Sequence, residues 1–138
     1  MTEAATLDAL HTRAFGHPGA HGWREADFER ALKGETHDLV WTDDGYAMAR
    51  TTLDEAELLL IATVPERRRR GVATRMLSLL ERRLKGRGVT RLFLEVVETN
   101  FPALTFYEKH GFKRSGHREG YYGRGAGHGA VLLDKALN

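Results

Sequence analysis

Residues 61–77 read IATVPERRRRGVATRML. An apolar run stops at Pro65, four arginines follow, and Gly71 and Ala73 open a segment whose apolar positions Val72, Met76, Leu79, Leu80 and Leu84 fall on one helical face. Strand, basic turn and glycine-opened helix, in that order, make anion-binding architecture. Small residues let backbone N–H groups approach a ligand, and the first turn of a helix adds unpaired donors at its positive dipole end. A pyrophosphate suits such a place. Taken alone, Arg67 to Arg70 also read as a solvated basic turn or a nucleic-acid patch; the strand before and the Gly-x-Ala start after them favour the anion.

Working outward, the helix from Gly71 ends at Gly86 and Gly88, and the run ELLLIATV before Pro65 reads as a central strand buried on both faces. Upstream, DLVWT and YAMARTTL flank Asp43, Asp44 and Gly45, where the Asp-Gly pair suggests positive φ angles in a tight antiparallel hairpin, and a short DEA connection leads on to ELLLIATV. Leu7, Leu10 and Ala14 after Thr6, and Trp23 to Leu32, predict two helices joined by GHPGAHG. Downstream come the strand TRLFLEVV, a short helix from Asn100 to His110 closed by Gly111, and a strand pair from KRSGHRE and AVLLDKAL. The order α, α, β, β, β, α, β, α, β, β describes an α+β sheet layered with helices, one domain over residues 1–138.

The absence of cysteine from the chain excludes a disulfide framework, a thiolate metal site and a cysteine nucleophile. With no signal-like N-terminus and no apolar stretch near the roughly 20 residues of a membrane span, the expected setting is the cytoplasm, away from any membrane. Net charge is +2, unevenly spread: residues 66–91 hold 10 Lys/Arg against Glu66 and Glu81, whereas the first 60 residues hold 5 against 12 Asp/Glu. That segregation suggests an anion at one place and a basic partner at another.

Arg68, Gly71 and Ala73 spell R-x-x-G-x-A, and with LFLEVVETNFPALTFYEKHGFKRSGHREGYY at residues 92–122 the chain resembles the GNAT superfamily of N-acetyltransferases. Within it the similarity is to the RimI type, which acetylates the N-terminal alanine of a ribosomal protein. The resemblance implies the GNAT fold, a twisted, mixed, mostly antiparallel sheet with about four flanking helices. The superfamily's usual N-terminal strand is expected to be missing, with the first helix expected to open the fold. It also implies acetyl-CoA as cosubstrate and no metal. Ile61, Ala62 and Thr63 would line the pantetheine arm, Arg69, Arg70, Gly71, Val72, Ala73 and Thr74 would cradle the pyrophosphate, Asn100 would touch the pantetheine, and Val64 and Arg68 complete the implied cofactor-binding set.

In TRLFLEVV, alternation puts Leu92, Leu94 and Val96 on one face and Phe93, Glu95 and Val97 on the other, so Glu95 interrupts an apolar surface. A carboxylate there is either half of a buried salt bridge or a functional group whose pKa burial raises. The resemblance makes Glu95 the general base that deprotonates the acceptor amine. It makes Tyr107 the acid that protonates the departing thiolate, a phenol near its ordinary pKa of about 10 losing its proton with little penalty. Flanked by Phe106 and Phe112, Tyr107 also reads as a plain core aromatic. A backbone N–H at Thr63 or Val64 would stabilise the oxyanion.

His11, His17 and His21 are close in sequence, but His17 and His21 lie in a Gly/Pro loop with no carboxylate at ligand spacing, so surface histidines are the reading preferred over a metal site. Tyr121 and Tyr122 precede GRGAGHG, either a hairpin tip beside the substrate groove or a plain turn, and Tyr121 with Trp23 is expected to wall that groove. The acceptor implied by resemblance is the N-terminal α-amine of a protein, a ribosomal one in the RimI type. A small amine such as a polyamine or antibiotic is the alternative, and a nucleic-acid-binding module through Arg67 to Arg91 the cross-class rival. Both a monomer and a homodimer stay open.

Overall fold

A computed structural model describes residues 1–119 and 127–138. Strands β1 (His37–Thr42), β2 (Gly45–Thr52) and β3 (Glu55–Thr63) form an antiparallel meander, and β4 (Arg91–Val97) pairs with β3 in parallel. Antiparallel β5 (Lys113–Arg118) and β6 (Ala130–Ala136) complete the six-stranded order β1-β2-β3-β4-β6-β5. Helices α1 (Glu3–Phe15) and α2 (Glu25–Lys33) cover one face; α3 (Val72–Gly86) and α4 (Phe101–Lys109) cover the other. The α+β architecture and element order expected from the sequence are those observed. Side-chain alternation does the sorting: on β2, Tyr46 and Met48 pack with Leu7, Leu10 and Phe28, whereas Ala47 and Ala49 pack with Met76, Leu80 and Leu84.

Local details differ from expectation for identifiable reasons. Helix α1 starts a turn before Thr6, because the Thr2 hydroxyl accepts the Ala5 N–H at 3.1 Å and fixes the N-cap there. In the first hairpin the two loop residues are Asp43 and Asp44, neither at positive φ, and Gly45 already pairs with Thr63 as the first residue of β2. A glycine is needed there because a Cβ would collide with the Ala62 carbonyl oxygen, not because the turn demands left-handed backbone. The link to β3 is Leu53-Asp54, with Leu53 at φ 58, so Glu55 and Ala56 belong to the strand.

Strand β3 is not buried on both faces. Met48 pairs with Leu60 and Ala49 with Leu58, so Leu59 is an extra residue, a β-bulge. The bulge inverts the alternation: Ala56 and Leu58 pack towards α3, but beyond it Leu60 and Ala62 join the α1/α2 cluster and Ile61 turns to α3. Parallel pairing with β4 covers only Glu55, Ala56 and Glu57, opposite Arg91, Leu92 and Phe93, after which the two strands part. Their separation leaves Leu59, Leu60, Ile61 and Thr63 half-buried.

On the α1/α2 face His11 is fully buried. Its Nε2–H donates to the Ala20 carbonyl at 2.5 Å and its Nδ1 accepts the Tyr46 hydroxyl at 2.6 Å, which fixes the neutral tautomer and ties the 16–22 loop to the core. Desolvation lowers the His11 pKa, with the Ala20 carbonyl acting in the opposite sense. A folded-state pKa below the ordinary 6.5 means that the unfolded chain takes up the proton first, so this group's stabilisation is complete above about pH 6.5 and is lost as pH falls through that value. Urea denaturation is therefore expected to show wild-type stability falling as pH drops below about 6.5, and His11→Asn to flatten the fall; an identical pH slope in the two proteins contradicts the assignment.

Candidate active site

The loop between β3 and α3 is a concave array of N–H groups. Pro65–Arg67 forms a short 3-10 turn, then Arg69 (φ 63) and Gly71 (φ 79) both adopt left-handed backbone. A non-glycine residue in that region is strained, and such strain concentrates at ligand sites. Among the described residues, no acceptor receives the N–H groups of residues 69 to 74, the last three opening α3. Consecutive free donors at a helix N-terminus are a fixed partial positive charge shaped for phosphate oxygens. Two arginine side chains are engaged elsewhere: Arg67 Nε lies 3.3 Å from Asp44 Oδ1, and Arg68 Nη2 donates to the Ala14 carbonyl at 2.6 Å. The free main-chain donors stand independently of these two side chains.

A groove of about 570 Å³ runs past this loop, lined by Ile61, Ala62 and Thr63 of β3 and, across from them, by Phe106 and Lys109 of α4. The Val64 N–H donates to the Asp44 carbonyl at 2.9 Å, so alternation turns the peptide groups of Thr63 and Ile61 away from β2, to the side that β4 has left. Their free edge suits an extended amide-bearing chain. Val64 itself is 1% exposed behind the groove and its N–H is occupied, so Thr63 alone of the two expected oxyanion donors has a free N–H.

The separation of β3 from β4 opens a second cleft, about 480 Å³, whose lining shares Phe15 and Ile61 with the first. Both expected acid/base residues reach it. Glu95 comes from the β4 face opposite Leu94 and Val96, and Tyr107 from α4 within the α3-side core. The Glu95 carboxylate is 17% exposed and lies 3.0 Å from Arg118 Nη2, a pairing that reaches over β6 from the end of β5. Burial pushes the Tyr107 phenol up to about 12, so it stays protonated across neutral pH but gives up its proton less readily than a phenol near 10. Asn100 lines the same cleft, yet its Oδ1 accepts the Ala103 N–H at 3.3 Å as the N-cap of α4, leaving its amide NH₂ for any ligand.

Several participants were not legible beforehand. Phe15 and His21 wall the cleft where Trp23 was expected; Trp23 instead packs on Phe28 and His37 with ring centroids 5.2 and 6.0 Å away. Phe106, Lys109 and Arg118 carried no motif signal, because a helix face and an inter-strand reach fix their positions. Tyr121, Tyr122 and most of GRGAGHG lie outside the described residues. The segregated charge also has a structural cause. Asp38, fully buried, receives Arg83 Nε and Arg87 Nη1, each at 2.8 Å, while Asp44 pairs with Arg67 and Glu55 with Arg91. Three acids of the first half thus pair with arginines of the basic segment, so part of the segregated charge is spent within the fold. Among the described residues no group of three or more His, Cys, Asp or Glu is arranged to hold a metal, and no helix is long and apolar enough to cross a membrane.

The chain belongs to the GNAT acetyltransferase family, whose pattern it matches over residues 4–112, and is an N-acetyltransferase. It is 40% identical over 119 residues to the [ribosomal protein bS18]-alanine N-acetyltransferase of Salmonella typhimurium, spanning 83% of this chain and 80% of that one. The crystal structure of the ribosomal-protein-S18-alanine N-acetyltransferase from Escherichia coli superimposes with a TM-score of 0.78 at 28% identity, covering 100% of this chain and 90% of the other. Aminoglycoside 6'-acetyltransferase type Ii shares the fold at a TM-score of 0.80 and 20% identity over 98% of this chain and 90% of its own. That likeness shows how little the fold alone says about the acceptor.

At Gly71 the positive φ disfavours any side chain, and a Cβ would meet nothing within 4 Å, so a larger residue projects into the groove. Gly71→Asp adds strain and a negative charge beside the free N–H groups. Calorimetry is expected to show CoA affinity falling by 10²-fold or more, the scale of about 3 kcal/mol.

Proposed function

We propose that this protein transfers the acetyl group of acetyl-CoA to the N-terminal α-amine of a protein, with a ribosomal protein beginning in alanine as its substrate. The observation that carries the reading is one continuous path: free N–H donors at residues 69 to 74, the open peptide edge of Ile61 and Thr63, then the cleft holding Glu95 and Tyr107. A diphosphate, an amide-bearing arm and a thioester occur in that order in acetyl-CoA. The 40% identity to a ribosomal-protein alanine acetyltransferase supports the acceptor class.

Bound acetyl-CoA supplies an acyl carbon activated by a thiol leaving group. The rest falls to the chain. The free peptide edge of β3 aligns the arm, and Thr63 N–H faces the gap where carbonyl charge would develop. Glu95 removes the amine proton, directly or through a water, once the acceptor nitrogen replaces Arg118 at its carboxylate. Tyr107 would donate a hydrogen bond to the leaving sulfur; with its phenol near 12 it keeps its own proton and stabilises the developing thiolate charge, and the thiolate takes its proton from solvent.

Amine ionisation favours this acceptor. With ordinary pKa values near 8 and 10.4, about 10% of an α-amine but only about 0.04% of a lysine is neutral at pH 7, a difference of roughly 250-fold or about 3 kcal/mol.

Glu95→Gln is expected to reduce turnover by on the order of 10² at pH 7, with cofactor affinity unchanged and the deficit shrinking as pH rises and the amine ionises by itself. Tyr107→Phe should lower kcat by roughly 10-fold to 100-fold, the worth of one donor to developing charge. The acceptor is tested by following thiol release with an Ala-initiated peptide, the same peptide blocked at its N-terminus, and spermidine. Only the free peptide should react well. Equal rates for free and blocked peptides place acetylation on side chains, and spermidine outpacing both places the enzyme among small-amine acetyltransferases.

A further inference from the structure

Arg68 is the first residue of the R-x-x-G-x-A pattern and lines the groove beside the free N–H groups, yet its guanidinium is held by α1. Its Nη2 donates at 2.6 Å to the carbonyl of Ala14, in the last turn of α1. That carbonyl is one of the acceptors a helix leaves unsatisfied at its C-terminus, where a cation also meets the favourable end of the dipole. The Thr12 carbonyl in the same turn is already taken by Gly16 N–H, at 2.8 Å, in the left-handed cap at φ 86. A second tether runs beside the first, from Arg13 to Glu66 of the Pro65–Arg67 turn. The phosphate loop therefore grips the end of α1 at two consecutive residues.

What lies just beyond that grip gives it consequence. Phe15, the next residue, lines both the phosphate-side groove and the Glu95/Tyr107 cleft. Its ring supports His21 edge-on at a centroid distance of 4.6 Å, and His21 is the other α1-side wall of the cleft. His21 also holds left-handed backbone, φ 55, in a loop whose other anchor is the buried His11–Ala20 bond.

We infer that Arg68, although it lines the same groove as the free N–H groups, is a positioning residue for the acceptor side of the cleft rather than a phosphate ligand: through Ala14 it fixes Phe15 and His21, and so couples the loop that takes the cofactor's diphosphate to the wall that meets the incoming amine. The inference rests on the reading that this groove takes acetyl-CoA.

The test compares Arg68→Met, which keeps the aliphatic stem and loses the donor, with Arg68→Lys, which keeps a cation and a donor. CoA affinity is measured by calorimetry at low and high salt, and steady-state constants with an Ala-initiated peptide. For Arg68→Met, CoA affinity should change less than fivefold with the wild-type salt dependence, while the peptide KM rises roughly fivefold to tenfold, the scale of one lost charge-assisted hydrogen bond, and kcat changes less. Arg68→Lys should recover most of that KM. A loss of CoA affinity of fivefold or more with a flattened salt dependence makes Arg68 a phosphate ligand and overturns the inference, as does a peptide KM that stays within twofold of wild type. If Arg68→Met does not fold, Arg68→Gln takes its place under the same criteria. Failure of the underlying reading would appear separately, as wild-type protein that does not bind CoA.

Discussion

The parting of β3 from β4 is the constraint on which the rest of the molecule depends. The two strands pair through three residues each and then diverge, with a bulge at Leu59 rotating the remainder of β3. A parallel pair that stayed zipped would fill its own hydrogen bonds and leave no opening. Because it does not, Ile61 and Thr63 keep an unpaired peptide edge inside the molecule, where an unsatisfied main chain is unfavourable unless a ligand or water completes it. The same opening exposes Glu95 on one side of the sheet and Tyr107 on the other to a shared cleft, so the two side chains proposed as base and acid reach it from opposite faces.

Ion pairing locks the frame around that opening. Asp38 on β1 holds two arginines of the α3 region, and Lys135 on β6 holds Glu81 of α3 at 2.9 Å, so the helix that follows the loop of free N–H donors is fastened to the sheet well away from the cleft. Fixing the helix there leaves its N-terminal N–H groups free and aimed, which is how pre-organised electrostatics act without reorganisation during reaction.

Much of this was legible in the sequence because it depends on local pattern. Period-two alternation placed Glu95 opposite Leu94, and a strand, arginines and Gly-x-Ala located the donor loop. What stayed hidden depends on long-range placement or on backbone phase. The Leu59 bulge sits inside an apolar run that looks the same in either register, so ELLLIATV read as uniformly buried. Gly45 beside Asp44 imitated a turn signal, although its real neighbour is the Ala62 carbonyl of the adjacent strand. Phe15 ends α1 and His21 lies in the loop beyond it, whose path is set by a buried histidine bond nine residues apart in sequence, while Trp23, the more conspicuous residue, packs half-buried against the core. Charge segregation looked like a substrate signal, and part of it is internal pairing, with Asp38, Asp44 and Glu55 holding arginines of the basic segment.

The central claim is that one cofactor path joins the free donors of residues 69 to 74 to the open edge of β3. Amide chemical shifts of isotope-labelled protein titrated with CoA test it directly. The account predicts large shifts for the N–H groups of Ile61, Thr63 and residues 69 to 74 together, at a single saturation point. Shifts confined to the outward basic face of α3 around Arg82 and Lys85, with Ile61 and Thr63 unmoved, would contradict it.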